Sequence, residues 1–258
     1  MSRNHLIKFL KTYVGSKSHW VDALQYFKGK DFVEPFCGSA ILSANLARTA
    51  VLNDADPVIA KFLATFDQQN VPEIFTKEDY LRVRSQPDWP SYLFALQGLS
   101  FSGVFRYSKN GYNVPPKHRD AFIKVRPLYE QALARWKELQ PKVYNLNYSE
   151  IPHEDFVGRV AILDPPYETS KAAYNRVFDY AKYWDYVLNY AVKFAQAVVV
   201  FDKQENLDNQ KIPIVGQRKM RVNGARPGSV ESMAIFKDGR WYSSEDWIKV
   251  FVHEPFPV

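Results

Sequence analysis

The chain has 258 residues, 46% hydrophobic, 24% charged and 16% aromatic, with a net charge of +6 and a pI near 9.1. That length fits one large α/β domain, or a core domain carrying an insertion, and no apolar run is long enough to span a membrane. One cysteine, Cys37, excludes an intramolecular disulfide, and five scattered histidines offer no zinc-ligand spacing. Met1-Ser2-Arg3-Asn4-His5 lacks the basic-then-apolar pattern of a signal peptide, so a reducing cytoplasm is the expected compartment. A basic surface with many rings suits a polyanionic partner whose bases can be stacked upon.

The first segment, Phe9-Leu10-Lys11-Thr12-Tyr13-Val14-Gly15-Ser16-Lys17, sets a ring and an ammonium around a glycine-serine turn, an arrangement that holds an anionic end such as a carboxylate. An amphipathic helix is expected next, with Trp20, Leu24 and Phe27 on one face and Gly29-Lys30 ending it. Asp31 to Ala40 then reads as strand followed by small-residue loop, and Ile41 to Arg48 as helix. Such a loop lets backbone approach a ligand closely at the first crossover of an α/β sheet. The stretch is neither a phosphate loop nor a dinucleotide fingerprint, since GxxxxGK[ST] is absent and Ala40 stands where a further glycine belongs. Glu34 at the strand end repels phosphate and welcomes a cationic amino group, which points to a zwitterionic cofactor.

A second strand is expected over Ala50-Val51-Leu52-Asn53-Asp54-Ala55-Asp56, ending in acids. Asp56 has a structural reason, capping a helix that starts at Pro57 and buries Ile59, Phe62, Leu63 and Phe66. Asp54 has none in the sequence, and an acid at this point is where a ribose hydroxyl pair is bound in such folds. From 68 to 148 short helical segments (77–84, 89–99, 128–139) alternate with loops, and Lys117, His118, Arg119, Lys124, Arg126 and Arg135 lend a basic cast. Within it, Phe101-Ser102-Gly103-Val104-Phe105-Arg106-Tyr107-Ser108-Lys109-Asn110-Gly111-Tyr112-Asn113-Val114-Pro115 carries Asn110-Gly111, a two-residue hairpin signal with rings and bases on both arms. Arginine pairs bidentately with guanine, asparagine with adenine, and a ring can wedge between bases.

The core resumes at Val143, followed by a buried strand, Val160-Ala161-Ile162-Leu163, closed by Asp164-Pro165-Pro166-Tyr167. Two prolines neither extend a ladder nor start an ordinary helix, so they make a stiff corner at the strand's carboxyl end, the edge where open α/β sheets bind ligands. The corner presents a carboxylate, carbonyls and a planar ring to a flat substrate bearing an amine. The aromatic stretch 174–184 reads as a mobile loop, and a helix burying Val187, Tyr190, Ala191 and Phe194 leads to a strand over Ala197 to Phe201. Late strands are expected within 212–222 and 233–236, the last closed by Asp238-Gly239, with Lys219, Arg221 and Arg226 near the linking loop.

Together these pieces resemble the Dam-type (α-class) DNA N6-adenine methyltransferases, in unbroken order along nearly the whole chain: FLKTYVGSK, VEPFCGSA, the LND acid, the GVFRYSKNGYNVP hairpin and DPPY. The resemblance implies an α/β, Rossmann-like S-adenosylmethionine-dependent methyltransferase fold, with a catalytic core over 1–67 and 143–258. A mostly helical target-recognition insertion bearing the β-hairpin would fill 68–142. It implies a cofactor site of Tyr13, Lys17, Glu34, Pro35, Phe36, Gly38, Ser39, Ala40, Asp54 and Asp164, with Glu34 facing the methionine amino group and Asp54 the ribose. Asp164, Pro165, Pro166 and Tyr167 would be catalytic and metal-free. DNA contacts would come from Phe101 as base wedge, Ser102, Val104, Arg106 as guanine reader, Tyr107, Lys109, Asn113 and Pro115. Tyr13 stands where the family pattern has tryptophan, Ala40 where it has glycine and Ser102 where it has asparagine. The implied partner is double-stranded DNA, the compartment the cytoplasm of a bacterial or phage-infected cell, and the setting restriction-modification, with a partner nuclease left open. N4-cytosine methylation, and a DNA-binding protein on a silent methyltransferase scaffold, are the competing readings.

Overall fold

The computed structural model of the chain describes residues 6–10, 13, 15–69, 71, 76–99, 126–166, 178–219 and 230–253. In chain order the strands are β1 (Phe32–Glu34), β2 (Ala50–Asn53), β3 (Lys142–Tyr144), β4 (Val160–Leu163), β5 (Ala197–Lys203), β6 (Gly216–Lys219), β7 (Val230–Lys237) and β8 (Arg240–Trp241). The helices are α1 (Ile41–Leu46), α2 (Pro57–Ala64), α3 (Lys77–Arg84), α4 (Leu93–Leu99), α5 (Arg126–Leu139), α6 (Tyr180–Tyr186), α7 (Val192–Phe194), α8 (Gln204–Asn209) and α9 (Ser244–His253). The chain divides into one unit of Met1–Lys30 with Cys37–Tyr148 and another of Asp31–Phe36 with Ser149–Val258.

In the second unit β4 is the middle of a parallel trio: Phe32 of β1 lies opposite Val160, and Ala161 opposite Val198 of β5. Every residue of Val160–Leu163 is buried, as are Ala197 to Asp202, because parallel strands in α/β folds are covered on both faces. β7 runs antiparallel to β5 along Ala197–Lys203, and β6 and β8 pair antiparallel with β7, so the sheet is mixed. Asp238 and Gly239 between β7 and β8 both have positive φ, the backbone of a two-residue hairpin turn. β6 begins only at Gly216, later than the sequence suggests.

In the first unit β2 and β3 pair in parallel, Leu52 opposite Val143. Asp56 caps α2, accepting from the Val58 amide, with Pro57 in the first turn, as the sequence indicates. Thr76 and Asp79 form a reciprocal capping box on α3. The core here is aromatic: the Phe9 ring meets Trp136 edge-on at 4.9 Å and Phe66 at 5.3 Å, and Phe66 also meets Phe62, Phe94 and Tyr129. Full burial of one such phenyl ring contributes about 1.5–3 kcal/mol.

Two expectations are corrected. Trp20, Leu24 and Phe27 are buried, but the segment is a run of turns ending in a 3-10 turn at Gln25–Phe27, because Trp20 bonds back to Lys17 and Phe27 to Leu24 at three-residue spacing. The stretch 174–184 is not all loop: α6 starts at Tyr180, with the Asp179 carboxylate accepting from the Lys182 amide. α6 runs through a π-helical turn at Val187–Ala191 into α7. Among the described residues, no helix is long and apolar enough to cross a membrane.

Candidate active site and cofactor turn

The loop after β1 is held by backbone and by one acid. Cys37 donates its amide to the Asn53 carbonyl at 2.8 Å, and Ala40 donates to Cys37 at 2.7 Å. Asp54, only 8% exposed, accepts from the Gly38 amide through Oδ2 at 2.9 Å and from the Asp56 amide through Oδ1 at 2.9 Å. Asp54 therefore does have a structural reason that the sequence concealed: it ties the turn to the end of β2. Asn53 and Asn145 brace the same end, Asn53 through reciprocal bonds with Leu146 and Asn145 by donating to the Asp54 carbonyl.

Gly38 and Ala40 both sit in the left-handed region, at φ +47° and +49°. A Cβ on Gly38 would lie 2.7 Å from Cε1 of Tyr13, so ring and glycine occupy one contact that only glycine permits. Tyr13, Gly38 and Asp54, which the sequence names separately, are thus gathered in one place. Lys17 is buried, its ammonium donating to the Gly15 carbonyl at 2.9 Å. Ser39 is buried as well, as is the thiol of Cys37, which is in no disulfide.

In the other unit, Glu34 ends β1 with 4% exposure and Pro35 is buried behind it. Phe36 packs edge-on against Phe178 and Tyr183 at 5.9 and 5.8 Å. At the end of β4, Asp164 is half-buried, Pro165 buried and Pro166 half-buried. Tyr180 donates its hydroxyl to the Pro166 carbonyl at 2.6 Å, so the first turn of α6 braces the corner. Tyr183, fully buried, has its phenol pushed well above the usual range by burial, then by the neighbouring Asp202 and Asp164 carboxyls. Tyr180 and Tyr183 were missed in the sequence; Asp179, a capping residue followed by an aromatic helical face, is the signal that could have found them.

Asp202, near the end of β5, is fully buried. Its Oδ1 accepts from the Lys203 amide at 2.7 Å and the Asn206 amide group at 2.8 Å, while Oδ2 has no partner among the described residues. Burial raises its pKa, against the bonds from Asn206 and Lys203. A raised acid keeps its proton in the folded state after the unfolded chain has lost it. Its contribution is therefore intact below the ordinary value of about 3.9 and declines as pH rises through the folded value. Urea unfolding of wild type and Asp202→Asn across about pH 4–7 is expected to show wild type losing stability relative to the variant as pH rises. A pH-independent difference contradicts this.

Tyr167 and the hairpin residues Phe101, Ser102, Val104, Arg106, Tyr107, Lys109, Asn113 and Pro115 lie outside the described residues. Among those described, no cluster of three histidine, cysteine or carboxylate side chains is placed to hold a metal.

A mixed sheet with flanking helices, acids at parallel strand ends and a close-approach turn define a Rossmann-like α/β enzyme core. The model of the D12 class N6 adenine-specific DNA methyltransferases matches residues 13–186, well over half of the chain, and the chain belongs to that family. It is accordingly an enzyme that methylates adenine in DNA, with S-adenosylmethionine as methyl donor. No curated protein matches. A solved structure described as a conserved hypothetical protein from Streptococcus pyogenes is similar at 11% identity and a TM-score of 0.38, over 89% of this chain and 95% of that one.

Proposed function

We propose that the chain is a Dam-type, site-specific enzyme acting on duplex DNA in the cytoplasm, with 68–142 as its recognition insertion and 1–67 with 143–258 as its catalytic core. The observation that carries the reading is the braced corner at the end of β4: a half-buried Asp164 followed by Pro165 and by a Pro166 whose carbonyl is engaged by Tyr180. An adenine exocyclic amine is a weak nucleophile because its lone pair is delocalised into the ring. Hydrogen bonds accepted by the Asp164 carboxylate and the Pro165 carbonyl localise that pair on nitrogen. A corner already fixed by Tyr180 and the prolines needs little reorganisation as charge develops there. Tyr167 supplies the ring on which a flipped adenine stacks, and flipping is required because the amine is unreachable inside a duplex.

S-adenosylmethionine supplies an electrophilic sulfonium methyl when bound. The residues fit it on their chemistry: Glu34 is a buried acid suited to a cationic amino group, Lys17 a buried ammonium suited to a carboxylate, and Asp54 a buried acid at the end of β2 suited to a ribose hydroxyl. Gly38 allows close backbone approach beside Tyr13, and Pro35, Phe36, Ser39 and Ala40 are assigned to the same cofactor.

Target choice is assigned to the hairpin: Arg106 to a guanine, Phe101 as wedge, and Ser102, Val104, Tyr107, Lys109, Asn113 and Pro115 along the DNA. Arg106→Ala is expected to relax discrimination at one base pair by about 1–3 kcal/mol while leaving S-adenosylmethionine affinity unchanged. Methylation of a randomised duplex library reads this directly, and an unaltered site preference sinks the hairpin assignment.

A further inference from the structure

α1 is short and carries none of its own terminal stabilisation. Its N-cap, Ala40, has no side chain to offer, its first turn holds no acid and its last turn no base. Six residues barely exceed the costly nucleus of a helix, so the element depends on partners from elsewhere. At its carboxyl end those partners are visible. Gly29 donates its amide to the Leu46 carbonyl at 2.7 Å. Arg135, from the middle of α5, donates Nε to the Ala44 carbonyl at 2.8 Å, and Nη2 to the carbonyls of Ala47 and, at 3.4 Å, Ser43. The Arg48 amide, which a longer helix would spend on Ala44, goes instead to Lys30. Arg135 thus takes the place of the missing last turn and sets a cation against the negative end of the helix.

The sequence counted Arg135 among the residues that give 68–148 its basic cast; the structure sets its guanidinium against α1. The other end of α1 is Ala40, in the turn that includes Gly38, and six helical residues separate the two ends by about 9 Å. Asn45 adds a second tie, exchanging hydrogen bonds with both backbone groups of Ile7, upstream of Tyr13. α1 therefore has a fixed far end, and the placement of its near end follows from it.

We infer that Arg135 is a positioning residue for cofactor binding: by holding the carboxyl end of α1 it sets where the 37–40 turn lies. The inference rests on the assignment of that turn to S-adenosylmethionine. Because the guanidinium forks across carbonyls of residues 43, 44 and 47, a lysine, with one compact ammonium on a flexible stem, restores only part of the hold.

The test is calorimetric titration of the full chain with S-adenosylmethionine, without DNA, for wild type, Arg135→Met, Arg135→Lys and Gly38→Ala, with thermal unfolding and duplex affinity measured alongside. Arg135→Met is expected to weaken cofactor binding about tenfold, the loss of a charge-assisted hydrogen bond, with Arg135→Lys between it and wild type and duplex affinity unchanged. Reduced stability with cofactor affinity intact in both arginine variants makes Arg135 merely structural and overturns the inference. So does weaker duplex binding with cofactor affinity intact, which would make it a DNA contact. If Gly38→Ala weakens cofactor binding and the arginine variants do not, only the Arg135 inference fails; if none of the three does, the turn's assignment fails with it. Should Arg135→Met not fold, Arg135→Lys carries the comparison.

Discussion

Asp164→Ala is expected to lower methyl transfer to unmethylated DNA by about a hundredfold to a thousandfold or more, the scale of removing one preorganised group that stabilises developing charge. In the proposed mechanism the carboxylate does two things that alanine cannot. It accepts a hydrogen bond from the amine, concentrating the lone pair on nitrogen, and it offsets positive charge that grows there as the methyl group arrives. The corner itself is expected to survive, because Pro165, Pro166 and the bond from Tyr180 to Pro166 do not involve the Asp164 side chain. Single-turnover transfer of labelled methyl separates the effects: the chemical step should collapse while duplex affinity stays near wild type. A variant that bound DNA poorly but transferred methyl at the normal rate would move Asp164 out of the reacting centre.

Gly38→Ala is the second large effect, and it acts through space that does not exist. The added Cβ would meet Tyr13 at 2.7 Å, closer than carbon atoms tolerate. The backbone has little room to yield, since Asp54 holds the Gly38 amide at 2.9 Å and Asn53 holds Cys37. Relief must come from displacing the Tyr13 ring or straining φ, at about 1–3 kcal/mol by either route. Both routes alter the turn, so S-adenosylmethionine affinity should fall by about tenfold or more together with a lower unfolding midpoint. A variant with wild-type affinity and stability would mean that Tyr13 does not lie on Gly38 in solution.

What the sequence disclosed depended on how local the signal was. Asp56-Pro57 names a helix start because the cap and the first turn are neighbours in the chain, and α2 begins there. Val160–Leu163 is legible because four branched or small apolar residues before two prolines fit little else. Trp20, Leu24 and Phe27 are a less local case. Their spacing reports burial, and successive turns bury the same three side chains as a helix would. The structural bonds of Asp54, Arg135 and Tyr180 went unseen in the sequence for a shared reason: each completes backbone groups on another element, and a carbonyl left over at the end of α1 cannot be seen from position 135. The sequence thus pointed to the chemistry proposed for the 37–40 turn and for Asp164-Pro165-Pro166, while the structure supplied braces for both.

The most direct measurement is modified-base sequencing of DNA from cells expressing the wild-type chain and, in parallel, the Asp164→Ala chain. The account predicts N6-methyladenine in a defined sequence context with wild type and none above background with the variant. Methylation at cytosine, or adenine methylation undiminished in the variant, would contradict it.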